Sequence, residues 1–229
     1  MVIVGLSTKC FSQVSVPLER KVAICKEGHG NAFCKERHGD VFEIGNAFEI
    51  DFTVDDIRKD ISPGLAERIR EFKSVFLLAP KKVGHVESDP LINYGDNQVA
   101  KDAIARLADV AHLVGARGVI FYPYLVSDFG YLLGACKEYG ISPIVENMDA
   151  ARGKMSYHKI YRWAQDFEEL AQNQDVGIAL NLQHAYECDS SMRVIKGLVR
   201  MFKDRIRLVH VSGRTISHNH WPIQCSDDP

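Results

Sequence analysis

The sequence lacks the features that define several large classes of protein. Its 229 residues include six cysteines, which lie far apart and form no C-x-x-C pair, so neither a zinc knuckle nor a disulfide framework is indicated. No run approaches the roughly 20 apolar residues of a membrane span. The N-terminus has no basic segment before its short apolar stretch, unlike a secretory signal. We therefore expect a reduced, cytoplasmic protein without a membrane partner.

A surplus of charge of either sign is also missing. The 28 basic and 30 acidic side chains give a formal net charge of −2, which supplies no overall field to attract nucleic acid. The sequence contains no G-x-G-x-x-G fingerprint, no Walker loop and no G-x-S-x-G elbow. The usual signatures of nucleotide-binding and serine-hydrolase sites are therefore absent.

Short runs rich in β-branched residues alternate with longer amphipathic segments along the chain. With a hydrophobic content of 46%, this alternation predicts strand-helix units around a buried parallel sheet. No linker-like composition divides the sequence, so we predict a single α/β domain over residues 1–229. The predicted strands are Val2–Leu6, Val41–Ile44, Val75–Ala79, Gly118–Tyr122, Pro143–Glu146, Gly177–Asn181 and Arg207–Val211.

Seven strand-helix steps nearly complete a TIM (β/α) barrel, which has eight and about 250 residues. The predicted helices are Val54–Phe72, Asn97–Val114, Ser156–Asn173 and Ser190–Phe202. The nine residues after His220 are too few for a further strand and a closing helix. We therefore expect the eighth strand-helix unit to be missing or atypical. Either the barrel is open, or the N-terminal segment or a partner such as a second copy in a homo-oligomer fills the gap, or the chain is truncated relative to its relatives.

Polar side chains that can bind a metal stand at the ends of several predicted strands. Because the carboxyl ends of parallel strands meet at one rim, we expect these side chains to converge. A buried Glu146 needs a cation or a hydrogen-bond donor, and a carboxylate there could also relay a proton. Alternatively, Glu146 is a salt-bridged strand end and His184 an ordinary hydrogen-bonded histidine. The predicted metal ligands are Glu146, Asn181, His184, His210, His218 and His220, with Glu146 also the predicted catalytic residue.

Other polar residues near the same rim are assigned to substrate binding. Lys81 and Lys82 follow the third strand and could hold a phosphate, although two lysines after a proline are also typical of a solvated loop. Arg214 is a plausible anion contact. The predicted substrate-binding residues are Glu43, Tyr122, Asn147 and Arg214.

Four segments resemble, in order and spacing, the xylose isomerase-like TIM barrels. They are Pro143–Asn147, Gly177–Tyr186, Arg207–Ser212 and His218–Ile223. That superfamily includes sugar isomerases, ketose epimerases and the endonuclease IV class, or AP endonuclease family 2. The first strand and the segment from Val75 to Pro80 are similar as well, so the resemblance covers most of the chain.

The resemblance implies roles for individual residues. Glu146 matches the shared metal-binding glutamate, and His210 matches the histidine that ends strand seven. Asn181 stands where the family usually has an aspartate ligand, and His184 matches the histidine three residues later. The implied cofactor is a divalent metal, Mn, Zn or Mg. The neutral Asn181 should weaken the binding of a hard cation.

Other positions depart further from the family pattern. His220 matches the histidine of an Asp-x-His element, but His218 replaces the aspartate of that element. Leu78 and Tyr122 stand where the endonuclease branch has histidine ligands. The glutamate that normally ends strand eight has no counterpart.

Three functions are consistent with this pattern. The first is a metal-dependent sugar isomerase or epimerase that acts on a small sugar or sugar phosphate by proton transfer at the barrel mouth. The second is an endonuclease IV-like phosphodiesterase on abasic DNA, which the balanced charge and the loss of two histidines disfavour. The third is a catalytically degenerate barrel with a binding role.

Overall fold

The computed structural model describes residues 4–7, 19–20, 22–23, 44–51, 61–83, 89–149 and 161–211. Within them, seven strands form one sheet in sequence order, and every neighbouring pair is parallel. The strands are β1 (Val4–Ser7), β2 (Ile44–Asp51), β3 (Ser74–Leu78), β4 (Gly118–Phe121), β5 (Pro143–Glu146), β6 (Gly177–Asn181) and β7 (Ile206–His210). The predicted α/β class with a parallel sheet is therefore confirmed.

Helices follow the strands and cover the sheet. They are α1 (Pro63–Arg70), α2 (Gln98–Val114), α3 (Phe129–Glu138), α4 (Glu168–Ala171), α5 (Leu182–Cys188) and α6 (Arg193–Phe202), with 3-10 turns at Pro123–Leu125, Ala164–Phe167 and Lys203–Arg205. Every residue of β3 to β6 is buried, as expected for parallel strands covered on both faces. None of the described helices has the length and apolar composition needed to cross a lipid bilayer.

Helix α2 forms where the sequence predicts it because both of its ends are capped. The Asn97 side chain accepts a hydrogen bond from the Ala100 amide at 2.9 Å, which satisfies one of the amides left open at a helix start. The buried face carries Ile104 and Leu107 at helical spacing. The helix ends at Gly115, whose φ of 66° lies in the left-handed region.

We expect Gly115→Ala to lower the free energy of unfolding by about 1 kcal/mol, because a Cβ disfavours the left-handed backbone. Thermal denaturation should show a melting temperature about 2–4 °C lower. Gly64→Ala is the matched control, because Gly64 lies in α1 with no atom within 4 Å of the added Cβ. The free energy of unfolding of this variant should stay unchanged or rise. Equal losses in the two variants would contradict this explanation.

The second strand lies further along the chain than predicted. The predicted Val41–Ile44 overlaps the observed Ile44–Asp51 only at Ile44, and residues 41–43 lie outside the described part. The reason is a near repeat, since Val-Phe-Glu-Ile at 41–44 recurs as Ala-Phe-Glu-Ile at 47–50. The second copy pairs with β3, with Glu49 opposite Phe76.

Two predicted helices are shorter in their described parts. The helix predicted over Val54–Phe72 begins at Pro63, because Ser62 caps it and a proline favours the first helical position. Within the predicted Ser156–Asn173, the Asp166 carboxylate accepts hydrogen bonds from two preceding backbone amides, those of Arg162 and Trp163. A new helical segment therefore starts at Ala164, and α4 is only one turn long.

The sheet is strongly curled. Adjacent strands are about 4.8 Å apart, so a flat sheet would separate β2 from β7 by roughly 24 Å. Glu49 Oε2 on β2 nevertheless lies 2.6 Å from His210 Nε2 on β7. Curling therefore brings the carboxyl ends of distant strands around a shared mouth.

Candidate active site

The Glu146 carboxylate lies at the centre of the mouth. Glu146 ends β5 and is fully buried. Its Oε1 accepts a hydrogen bond from Asn181 Nδ2 at 2.6 Å and lies 3.1 Å from His210 Nδ1. Both contacts bring hydrogen-bond donors to Oε1 of this buried carboxylate.

His210 joins two carboxylates on opposite sides of its ring. Its Nδ1 faces Glu146, and its Nε2 lies 2.6 Å from Glu49 Oε2. Burial lowers the pKa of His210, but the Glu49 and Glu146 carboxylates outweigh burial and hold that pKa well above its ordinary value. A doubly protonated ring satisfies both carboxylates as a donor. The three side chains therefore form an acid-imidazole-acid chain across the mouth.

Asn181 presents a donor to this chain. It ends β6, and its Oδ1 accepts the His184 amide hydrogen at 3.1 Å, which caps α5. This cap fixes the orientation of the side-chain amide, because reversing it would place two donors against each other. The Asn181 amino group therefore faces Glu146, where an aspartate would present an anion.

The side chain of Asn147 links the ends of β5 and β6 by two hydrogen bonds. Its Oδ1 accepts from the Asn181 amide at 2.7 Å, and its Nδ2 donates to the Asn181 carbonyl at 3.0 Å. Both groups are buried, so this pair continues the sheet pairing beyond the last backbone bonds. The two hydrogen bonds of the Asn147 side chain therefore hold Glu146 and Asn181 at a fixed separation.

His184 lies beside this centre and faces a second acid. Its Nδ1 is 2.8 Å from the Asn147 carbonyl oxygen, so this nitrogen carries the hydrogen and donates. Its Nε2 lies 3.7 Å from Asp149 Oδ2, and its Nδ1 is 3.7 Å from Glu146 Oε1. Both His184 and Asp149 are buried. The mouth thus contains a second imidazole-carboxylate pair.

The β3 and β4 side of the mouth is aromatic and cationic. Tyr122 follows β4 and is buried, and the pairing of Phe121 with Val145 places it beside Glu146. The Lys81 Nζ lies 4.4 Å from the centre of the Tyr122 ring. Leu78, which ends β3, is buried and apolar.

The structure brings together four of the residues predicted as metal ligands, Glu146, Asn181, His184 and His210. Asn147 and Tyr122 flank them. The remaining predicted site residues, Glu43, Arg214, His218 and His220, lie outside the described residues.

Two acids of the mouth were not predicted, Glu49 and Asp149. The repeat of Phe-Glu-Ile at residues 42–44 and 48–50 was the available signal for Glu49, because either copy could place a glutamate in strand two. Asp149 follows Glu146 by three residues. A second acid so soon after a strand end could have indicated it.

In the described part of the chain, no set of three or more His, Cys, Asp or Glu side chains is arranged to hold a metal ion. The hydrogen bonds within the site explain why no such set forms among the described residues. Glu146 Oε1 faces Asn181 and His210, and both ring nitrogens of His210 face carboxylates. Most of the atoms that could bind a cation therefore face one another, whereas the second carboxylate oxygen of Glu146, Oε2, is buried and accepts no hydrogen bond from the described residues. In kind, two carboxylates with an imidazole between them suit a borderline divalent cation.

The sequence matches no protein-family model and no curated protein, whereas the fold has many solved counterparts. Endonuclease IV from Thermus thermophilus is 18% identical, with a TM-score of 0.57 over 91% of this chain and 74% of that one. AP endonuclease family 2 from Brucella melitensis is 12% identical, with a TM-score of 0.60 over 87% and 75% of the chains.

A sugar enzyme has a similar structure. D-psicose 3-epimerase, whose crystal structure was determined in the presence of D-fructose, is 11% identical. Its TM-score is 0.58, over 94% of this chain and 78% of that one. At these identities the likeness concerns the fold. The chain therefore has the fold of the xylose isomerase-like TIM barrels, the superfamily that its sequence pattern resembles.

Proposed function

We propose that this chain is a metal-dependent isomerase or epimerase-like protein that acts on a small sugar or sugar phosphate by proton transfer. The curled sheet would be part of a TIM (β/α) barrel with seven recognisable strands. The observation that carries the proposal is the convergence of Glu146, His210 and Glu49 at the carboxyl ends of three different strands. Such rims hold the chemistry of parallel α/β folds.

Glu146, His210 and Glu49 would hold the divalent cation, Mn, Zn or Mg. The donor set fits such an ion in kind, and binding would exchange hydrogen bonds among the three side chains for bonds to the metal. When bound, the cation would polarise the carbonyl and the neighbouring hydroxyl of the sugar. His184, whose ring lies beside Glu146, is a further proposed ligand.

The two carboxylates give the chain a means to move a proton. Glu146 Oε1 and Glu49 Oε2 lie at opposite nitrogens of one imidazole ring, so two carboxylates line the same mouth. One carboxylate would take the proton from the carbon beside the carbonyl, and the other would return it. Burial of Glu146 excludes water from this transfer. Asn181 would hold Glu146 in place through the hydrogen bond that its amino group donates.

Asn181 also supports a second candidate, a barrel that binds a ligand without turnover. Its amino group occupies the side of Glu146 where the superfamily pattern has an acidic ligand. A phosphodiesterase acting on abasic DNA is less well supported, since the buried Leu78 and Tyr122 occupy the positions of two histidine ligands in that branch.

A divalent cation is expected to raise the melting temperature of the purified protein. At a concentration one hundred times the dissociation constant, binding contributes about 2.7 kcal/mol, or roughly 5–10 °C for a chain of this size. Differential scanning fluorimetry with Mn, Zn and Mg, followed by EDTA, measures the effect. If no metal co-purifies and none raises the melting temperature, the metal-dependent function is wrong.

Turnover is tested separately by proton exchange. The metal-loaded protein should introduce deuterium from heavy water into D-fructose at the carbon beside the carbonyl, detected by NMR. Metal binding without exchange into any ketose offered would favour the binding barrel. Nicking of a duplex with one abasic site, without sugar exchange, would favour the phosphodiesterase.

A further inference from the structure

We propose that Lys81 and Tyr122 form an anion subsite that holds the phosphate or carboxylate group of the substrate. This proposal rests on the proposed function and narrows it to sugars that carry a negative charge. The juxtaposition that supports it is a lysine ammonium 4.4 Å from the centre of a buried tyrosine ring, in the same mouth as Glu146.

The topology places this pair at the reacting end of the sheet. Lys81 comes three residues after β3 and Tyr122 directly after β4, so both lie beyond carboxyl ends of adjacent parallel strands. Phe121 pairs with Val145, so Tyr122 and Glu146 are the next residues of neighbouring strands. A ligand that touches Glu146 therefore has Tyr122 beside it, and the Lys81 ammonium lies over the Tyr122 ring.

The backbone around Lys81 is held on both sides. Its carbonyl oxygen accepts from the Ile92 amide at 2.9 Å, and the Val83 amide donates to the Pro90 carbonyl at 3.0 Å. The Tyr94 hydroxyl donates to the carbonyl before Lys81, that of Pro80, at 2.9 Å. The ammonium group is thus carried by a fixed segment, which reduces the ordering cost of ligand binding.

Charge distribution sets the orientation of the ligand. The carboxylates of Glu49 on β2 and Glu146 on β5 flank the ends of β3 and β4, and each would repel an anionic group from its own strand end. The Lys81 ammonium has three donors, and a half-buried position strengthens its attraction for an anion. The charged end of a sugar would therefore lie over β3 and β4, with its carbonyl end toward Glu146.

Lys82 offers a matched control. It is one residue along, in a bridge with Leu91, and successive side chains of an extended segment point to opposite faces. It carries the same charge as Lys81 on the same stretch of chain. A general electrostatic effect would involve both lysines equally, and a subsite would depend on Lys81.

Isothermal titration calorimetry with D-fructose, D-fructose 6-phosphate, D-glucuronate and inorganic phosphate tests the proposal. The protein should bind an anionic sugar about ten- to hundredfold more tightly than D-fructose. Lys81→Gln should reduce that ratio to near one by weakening the binding of the anionic sugars, and Lys81→Arg should retain most of the ratio. A preference for the phosphate or for D-glucuronate identifies which anionic group the subsite takes.

Several results would overturn the subsite. These are equal affinities for D-fructose and both anionic sugars, and equal losses in Lys81→Gln and Lys82→Gln. Melting temperatures of the variants verify folding, which the partial exposure of Lys81 should preserve. Phosphate-dependent binding through Lys81 without deuterium exchange would retain the subsite and reject the isomerase function. Exchange into neutral D-fructose without any anion preference would do the reverse.

Discussion

Replacing Glu146 with alanine is expected to remove bound metal and to reduce proton transfer by at least about a hundredfold. Glu146 is the side chain on which Asn181 and His210 both converge, so its loss removes the central ligand and one of the two proton-moving carboxylates. Metal content after purification and deuterium incorporation into the sugar measure the two effects.

Two controls separate chemistry from packing. Glu146→Gln retains an oxygen that can accept from Asn181 and nearly the same volume, so it should fold normally and still lose metal and turnover. Glu138→Ala removes an exposed glutamate at the end of α3 and should change neither. An unchanged metal content in Glu146→Ala would exclude Glu146 as a ligand.

Asn181→Asp is expected to lower the stability of the metal-free protein and to increase the stabilisation that metal provides. In the metal-free protein, a carboxylate in place of the amino group would face Glu146 and remove the 2.6 Å hydrogen bond. The free energy of unfolding of the metal-free protein should fall by about 1–3 kcal/mol. With a divalent cation, the added anionic ligand should tighten binding at least about tenfold. Thermal unfolding in EDTA measures the loss of stability, and thermal unfolding in excess metal measures the added stabilisation.

The same substitution elsewhere provides the comparison. Asn97→Asp also replaces an amide that caps a helix, but it lies outside the set of side chains around Glu146. The change in stability that Asn97→Asp causes, relative to the original protein, should be the same with and without metal. If Asn181→Asp behaves like Asn97→Asp in both conditions, the position of Asn181 does not limit metal binding.

The sequence was sufficient to predict which strand ends meet at one rim. Pro143–Glu146 and Gly177–Asn181 were predicted with their observed bounds, because buried runs that end abruptly in polar residues leave little freedom in register. Parallel strands then bring Glu146, Asn181 and His210 to one rim whatever the details of the helices. Periodicity determined this part of the molecule, since it fixes both the strand direction and the point where each strand ends.

The contacts within the site depended on information that a pattern does not contain. Glu49 was missed because two copies of Phe-Glu-Ile fit strand two equally well, and only pairing with β3 distinguishes them. The role of Asn181 depends on which half of its amide the His184 backbone selects. The first is decided by strand pairing between distant segments, and the second by the hydrogen-bond geometry of a local helix cap.

The contact between Glu49 and His210 has a consequence for how the protein folds. The two residues are 161 positions apart, so closing this loop costs much chain entropy and contributes to a high contact order. A nascent or truncated chain that ends before β7 would contain Glu146 and Asn181 without their third partner. The bond between the two side chains would be among the last to form, so binding competence would appear only when nearly all of the described sheet has assembled.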